Sequence, residues 1–182
     1  ISIDSATMMN KVFEIIEAKK IFDLKYNQLD ILVHPNSYVH AIIKFNDGMI
    51  KLIVHDTNMK IPIFNSLYDV NTSIIKTDQL DIQKLNFLNL KKVDIHKFPS
   101  IKLIKKLKNS DSLLETIIVL ANDELVNLFL LKKISFTDIT TILQKLINMK
   151  KFKNYSQKKP GNINTIVALN KLVRFTINKI IF

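Results

Sequence analysis

The carboxy-terminal half of the chain carries the pattern that most constrains its fold, because apolar residues recur there at every third or fourth position. This spacing places apolar side chains on one face of an α-helix. Residues that break or cap helices separate four such stretches, at Pro99, the run 109–111, Ser135 and Pro160-Gly161. The sequence therefore predicts helices over residues 100–108, 112–133, 137–149 and 163–181, joined by short connections as in a small bundle.

The amino-terminal third has a different pattern. Residues 4–22 place apolar side chains near one face and begin with Asp4 and Ser5, which are good helix caps, so we expect a helix there. Three short runs rich in β-branched residues follow, at residues 29–34, 38–45 and 49–54. The Asn-Asp-Gly run at 46–48 predicts a hairpin between the last two. We expect a mixed or antiparallel sheet packed against the first helix.

No period is clear between residues 69 and 98, and we interpret this stretch as a connecting segment. The predicted fold class is α+β. An α/β part, made of a helix plus a mixed sheet, precedes an all-α part that resembles a four-helix bundle. The predicted ranges of the three parts are 1–68, 69–98 and 99–182.

Composition excludes several classes of site and of protein. Cysteine is absent, so a metal would need oxygen or imidazole ligands, which favours Mg or Mn. The net charge of +11 suggests a polyanion partner, but Arg174 is the only arginine and the lysines are dispersed, so we expect no nucleic-acid partner. The longest apolar run, 125–131, is too short for a membrane span, and we expect no membrane partner. The opening without Met suggests a fragment or a processed product.

One group of polar residues has the spacing of a site. Asn10 and Glu14 are four residues apart, and Lys11 and Glu14 three apart, so a helix makes them neighbours. Ser5 adds a hydroxyl near the helix start, where free N–H groups favour an anion. A phosphate there with a metal at Glu14 is coherent. The alternative is that Ser5 is a cap, Lys11 and Glu14 form a surface ion pair, and Asn10 is merely polar.

Histidines and a methionine supply weaker candidates. His34 and His40 bracket a predicted turn, and both would have to converge across it to bind a metal. His40 alone can also orient a substrate or relay a proton, and the alternative is that both are ordinary loop or strand residues. Met59 follows the third strand and can pack against a flat ring or fill the core. For His55 the spacing identifies no partner.

Several of these runs occur together in one known family. They are DSATMMNK at 4–11 with Glu14 and IEA at 16–18, HPNSYVH at 34–40, DG at 47–48, NMKIP at 58–62, ANDE at 121–124 and FTDI at 136–139. In this order and across most of the chain, they resemble the deoxyxylulose-phosphate reductoisomerases of the non-mevalonate isoprenoid pathway. Asn58 stands where many members carry Asp, and Lys60 where many carry Arg.

The resemblance implies an NADPH-dependent enzyme with a divalent Mg or Mn ion. Its sugar-phosphate substrate, deoxyxylulose 5-phosphate, is rearranged and then reduced to methylerythritol 4-phosphate. By the same resemblance Ser5, Asn10 and Lys11 hold the substrate phosphate, and Glu14 ligates the metal with two carboxylates absent from this chain. Lys11 and Glu14 are thus the catalytic candidates, His40 lies near the substrate, and Met59 packs near the nicotinamide.

The resemblance also implies a homodimer that binds phosphonate-hydroxamate inhibitors. Residues 1–68 would be the carboxy-terminal half of the catalytic domain, 69–98 the connector and 99–182 the helical domain. Family and composition together suggest a plastid-like organelle of the apicoplast type, or the cytoplasm if the source is bacterial. Two other hypotheses stay open: a lysine-rich helical module that binds polyanions, and a structural dimerisation piece of another enzyme.

Overall fold

The structure, a computed structural model, describes residues 2–69 and 74–181, which form two compact units. We call Ile1–Ile31 with Asp94–Phe182 the helical unit and Leu32–Val93 the hairpin unit. The α-helices of the helical unit are Ser2–Thr7 (α1), Met9–Ile21 (α2), Leu113–Leu130 (α5), Phe136–Asn148 (α6), Lys150–Lys153 (α7) and Ile163–Ile181 (α8). The hairpin unit contains strands Leu32–Val33 (β1), Val39–Lys44 (β2), Ile50–Val54 (β3) and Lys91–Lys92 (β4), with helices Lys60–Leu67 (α3) and Ile82–Asn86 (α4).

The helical unit confirms the predicted bundle. Helices α5, α6 and α8 begin and end within one residue of their predicted bounds, except that α5 ends three residues earlier than predicted. They pack on one another around a core that includes Ile117, Leu125 and Leu143. The stretch at 100–108 is instead a 3₁₀ helix, Pro99–Lys106, which begins with a proline at its first position. The buried face of α2 belongs to the same core, so the first helix packs with the bundle.

The first helix differs from the prediction at its start. Met8 has a left-handed backbone, with φ 58° and ψ 19°, and divides the predicted helix into α1 and α2. A non-glycine residue rarely adopts this conformation, which therefore depends on surrounding contacts. Ser5 consequently lies inside α1, and the interpretation of Ser5 as the cap of one continuous helix was wrong.

The hairpin unit confirms one predicted feature and corrects another. Strands β2 and β3 are antiparallel with Lys44 opposite Ile50, and Gly48 takes the positive φ of 91° that the turn requires. Of the two predicted alternatives, a mixed or an antiparallel sheet, the antiparallel one is confirmed, but the described residues form two separate pairs, β2 with β3 and β1 with β4, and not one sheet. A turn at 34–37, in which Ser37 N donates to His34 O, leads β1 away from β2, and a segment sixty residues later supplies its partner.

The segment at 69–98 contains α4 and β4 among its described residues. The compact units do not follow the three predicted ranges, because residues 2–31 pack with the bundle. The assignment of those ranges to a catalytic domain, a connector and a helical domain stays a prediction. Within residues 2–69 and 74–181, no helix combines the length and apolarity needed to cross a membrane.

Candidate active site

The candidate site begins at the break between α1 and α2. Thr7 is buried, and its hydroxyl donates to the carbonyl oxygens of Ile3 (3.1 Å) and Asp4 (3.3 Å). The same oxygen accepts from the backbone N–H of Met9 at 3.4 Å, across the left-handed residue Met8. Thr7 therefore links the two short helices directly, and a new helix start lies immediately before Asn10.

At this helix start the predicted polar residues lie side by side. The side-chain oxygen of Asn10 accepts from the backbone N–H of Lys11 at 2.9 Å. The ammonium of Lys11 donates to both carboxylate oxygens of Glu14, at 2.9 and 2.8 Å. The side chains of Lys11 and Glu14 are 42% and 54% exposed. The predicted neighbourhood of Asn10, Lys11 and Glu14 is confirmed as geometry, and the three face solvent where a ligand can reach them.

Ser5 lies on α1, the helix that precedes this group. It is exposed, and its carbonyl oxygen accepts from Met8 N at 3.2 Å. The positive end of a helix dipole at this site belongs to α2, at Met9, and not to the helix that holds Ser5. Ser5 and the first turn of α2 thus belong to two different helices.

Glu14 has the chemistry of a ligand for a hard cation. Its carboxylate is exposed, and oxygen ligands of this type suit Mg²⁺ or Mn²⁺. Among the described residues, no group of three or more His, Cys, Asp or Glu side chains lies close enough to hold a metal ion. Glu14 therefore has the chemistry of a single metal ligand.

A charged network holds the other end of α2, and sequence reasoning missed it. Tyr26 donates from its hydroxyl to Glu115 at 2.6 Å, and Glu115 also pairs with Lys20 at 2.8 Å. Lys19, which is buried, and Lys20 both contact Asp111, at 3.0 and 3.1 Å. The network connects α2 to α5 and to the loop before it. No local sequence pattern predicts this network, because the partners are about 90 residues apart in the sequence.

The pKa values of this network reflect these contacts. Burial and the neighbouring Glu115 carboxylate raise the pKa of Tyr26, so its phenol stays neutral. Hydrogen bonds from Lys19 and Lys20 lower the pKa of Asp111. Burial alone would lower the pKa of Lys20, but its bonds to Glu115 and Asp111 outweigh burial and raise it. Lys20 and Asp111 therefore stay charged at neutral pH.

The structure places His40 against His55, and not against His34, the partner considered from the sequence. Its imidazole stacks on that of His55, with ring centroids 3.5 Å apart and an interplanar angle of 5°. Nε2 of His40 lies 3.1 Å from the carbonyl oxygen of His55. His34 does not join them: both of its ring nitrogens are buried without a hydrogen-bond partner among the described residues. The predicted hairpin is the sequence feature that could have indicated this pair of histidines, because its register brings residues 40 and 55 to the same end of the two strands.

Met59 lies at the start of α3 and is 65% exposed. The side-chain oxygen of Asn58 accepts from the backbone N–H of Lys60 at 3.0 Å and so caps the helix start. The possibility that Met59 fills the core was wrong, because its side chain faces outward. His40 and Met59 both belong to the hairpin unit, whereas Ser5, Asn10, Lys11 and Glu14 belong to the helical unit.

Comparison with known proteins confirms the resemblance. Residues 55–176 match the family described as DXP reductoisomerase C-terminal domain. Residues 1–22 match the family described as 1-deoxy-D-xylulose 5-phosphate reductoisomerase C-terminal domain. The Pelagibacter ubique protein named 1-deoxy-D-xylulose 5-phosphate reductoisomerase is 58% identical over 178 residues, which are 98% of this chain and 46% of that protein.

Solved structures are similar along the whole chain. The 1-deoxy-D-xylulose 5-phosphate reductoisomerase from Zymomonas mobilis in complex with NADPH aligns with a TM-score of 0.84 and 31% identity, covering 100% of this chain and 47% of that one. A DOX-P reductoisomerase in complex with NADPH, fosmidomycin and magnesium aligns with a TM-score of 0.86 and 33% identity, covering 100% and 45%. The chain thus spans about half the length of the relatives it matches. On sequence and structure alike, it belongs to the 1-deoxy-D-xylulose 5-phosphate reductoisomerase family.

Proposed function

We propose that the complete protein containing this chain converts 1-deoxy-D-xylulose 5-phosphate to 2-C-methyl-D-erythritol 4-phosphate, with NADPH as reductant and Mg²⁺ or Mn²⁺ as cofactor. Family membership supports this, and solved relatives bind NADPH and magnesium. The observation that carries the proposal is the placement of Asn10, Lys11 and Glu14 together on the first turns of α2. This chain would supply the phosphate-binding residues and one metal ligand.

Ser5, Asn10 and Lys11 would bind the substrate phosphate. The Lys11 ammonium carries three N–H donors and uses two on Glu14, which leaves one for a phosphate oxygen. The Ser5 hydroxyl and the Asn10 amide can each donate another hydrogen bond, and the start of α2 favours negative charge. Binding the phosphate at a fixed point orients the rest of the substrate for reaction.

Glu14 would hold the divalent cation. When bound, the cation supplies Lewis-acid polarisation of the substrate's carbonyl and hydroxyl oxygens. Lys11 donates two hydrogen bonds to the Glu14 carboxylate and so restricts its rotamer. The pairing therefore links phosphate binding to metal binding at one point of α2.

Met59 and His40 would act from the hairpin unit. The exposed thioether of Met59 suits packing against the flat nicotinamide ring of NADPH. His40 would lie near the substrate, with its imidazole orientation restricted by the stack on His55. We assign His40 no proton-transfer step.

We propose a homodimer for the complete protein. The hairpin exposes seven large apolar side chains, each at least 38% exposed: Ile42, Ile43, Phe45, Met49, Ile50, Leu52 and Ile53. A two-stranded hairpin of this kind is marginally stable alone, so further protein surface is expected to cover it. Sedimentation velocity of the complete protein tests the dimer.

The named relatives with a stated organism are bacterial, and none of them supports the plastid-like organelle, which stays a prediction.

The test of function is NADPH oxidation by the full-length protein with 1-deoxy-D-xylulose 5-phosphate and Mg²⁺ or Mn²⁺. We expect turnover that requires the metal and is blocked by fosmidomycin, a phosphonate-hydroxamate that a solved relative binds. No turnover by a folded, complete protein would refute the proposal.

A second candidate function, polyanion binding, has one observation in its favour. Burial and the nearby ammonium of Lys153 lower the pKa of Lys106, so the basic stretches at 102–108 and 150–159 lie close together. Salt-sensitive binding of a heparin or DNA probe would support it. If such binding occurs without NADPH turnover, this function replaces the reductoisomerase proposal.

A further inference from the structure

Two buried residues of the bundle contact α1, the short helix that carries Ser5. Asn122 on α5 is 3% exposed, and its side-chain N–H donates to a carboxylate oxygen of Asp4 at 2.8 Å. Ser100 in the 3₁₀ helix is 1% exposed, and its hydroxyl donates to the carbonyl oxygen of Thr7. Asp4 and Thr7 lie on either side of Ser5 in sequence. Both contacts thus act on the segment that presents the Ser5 hydroxyl.

This segment needs such support for two physical reasons. Helix α1 has six residues, and a helix of this length is unstable in water without tertiary contacts. The left-handed conformation of Met8 is unfavourable for a residue with a side chain. The chain would therefore relax at this point if nothing outside it fixed α1 relative to α2.

Among the described residues, the side chain of Asn122 makes one hydrogen bond, the one to Asp4. Its side-chain oxygen is buried without a hydrogen-bond partner among the described residues, so the contact with Asp4 orients the amide. A buried polar atom without a partner is destabilising, and a purely apolar residue at this point of α5 would avoid that penalty. The hydrogen bond to Asp4 is therefore the interaction for which an asparagine, and not an apolar residue, is needed at this position.

We propose that Asn122 and Ser100 are positioning residues for the substrate phosphate, a role that rests on the function proposed above. They hold α1 so that the Ser5 hydroxyl stays within reach of the phosphate bound by Asn10 and Lys11. Neither residue touches the substrate. Their loss moves Ser5 away from the helix start, and phosphate affinity falls while the fold of the bundle persists.

The test uses the complete enzyme and two independent variants. Asn122→Asp keeps the shape of the side chain but places a carboxylate against Asp4, and Ser100→Ala removes the hydroxyl with little change in volume. The double variant Asp4→Asn with Asn122→Asp restores an amide-to-carboxylate pair in reverse. Thr176→Val is the matched control, because Thr176 is a buried hydroxyl of the same bundle, on α8, that bonds Leu172 O and Lys151.

Steady-state kinetics and fosmidomycin titration are the readouts. In Asn122→Asp and Ser100→Ala we expect the KM for the sugar phosphate and the Kd for fosmidomycin to rise about tenfold or more, since small displacements at a site have effects of this size. The KM for NADPH should stay within about twofold of wild type. The double variant should recover most of the loss, and Thr176→Val should leave all three constants unchanged.

The outcomes separate this role from the proposed function. If wild-type enzyme shows no turnover, the proposed function fails, and the positioning role with it. If wild type is active but folded Ser100→Ala or Asn122→Asp keeps a wild-type KM for the sugar phosphate, the positioning role alone is overturned. An equal rise in Thr176→Val, or no recovery in the double variant, overturns it as well. If Asn122→Asp does not fold, Ser100→Ala decides.

Discussion

Glu14→Gln in the complete enzyme should lower the activity strongly and leave the stability almost unchanged. The Glu14 side chain is 54% exposed, and its ion pair with Lys11 spans three residues along α2. An exposed helical pair of this kind contributes roughly 0.5 kcal/mol or less, so the free energy of unfolding should change by no more than that. Turnover should fall by about a hundredfold or more, because a neutral amide is a poor ligand for a hard cation and metal polarisation contributes several kcal/mol.

The assay pairs metal-dependent NADPH oxidation with urea unfolding of the same preparation. Asp123→Asn is the matched control, since it also removes one carboxylate of an exposed ion pair, the one with Arg174. We expect it to keep wild-type turnover. Near-wild-type activity of Glu14→Gln would refute the role of Glu14 as a ligand. A loss of activity that only parallels a loss of stability would refute it too.

Three further changes test the site and its support. Lys11→Ala should raise KM and lower kcat together in steady-state kinetics, because Lys11 would bind the phosphate in ground and transition states; an unchanged KM would contradict this. Ser135→Ala should lower the free energy of unfolding by about 1 kcal/mol in urea, since Ser135 and Asp138 cap α6 reciprocally, and an unchanged midpoint would contradict it. Tyr26→Phe should lower it by roughly 2 kcal/mol at neutral pH, through the lost bond to Glu115. Because the folded pKa of Tyr26 is raised, its contribution to stability is fully present below about pH 10 and falls progressively as the pH rises above that value. Unfolding of Tyr26→Phe should therefore depend less on pH there than that of wild type; parallel curves would contradict this.

Sequence periodicity determined the bundle and the hairpin, for a local reason. The helices α5, α6 and α8 each have an apolar stripe long enough to specify a helix, and their ends coincide with capping or breaking residues such as Ser135. The turn at Gly48 likewise has a short-range signal, because few residues adopt its positive φ. Helical spacing was also sufficient to place Lys11 beside Glu14.

Tertiary structure alone decided the features that depend on distant partners. Met8 adopts a left-handed backbone in a segment whose spacing predicts an unbroken helix. The buried side chains of Ser100 and Asn122 both contact α1, the helix that ends just before Met8. The pairing of β1 with β4 joins residues about sixty positions apart, which no local pattern specifies. The sequence by itself thus determined which residues are available for the site and which of them share a helix turn. Only the folded chain decided where α1 ends and where Ser5 lies, because those positions depend on contacts made across the core.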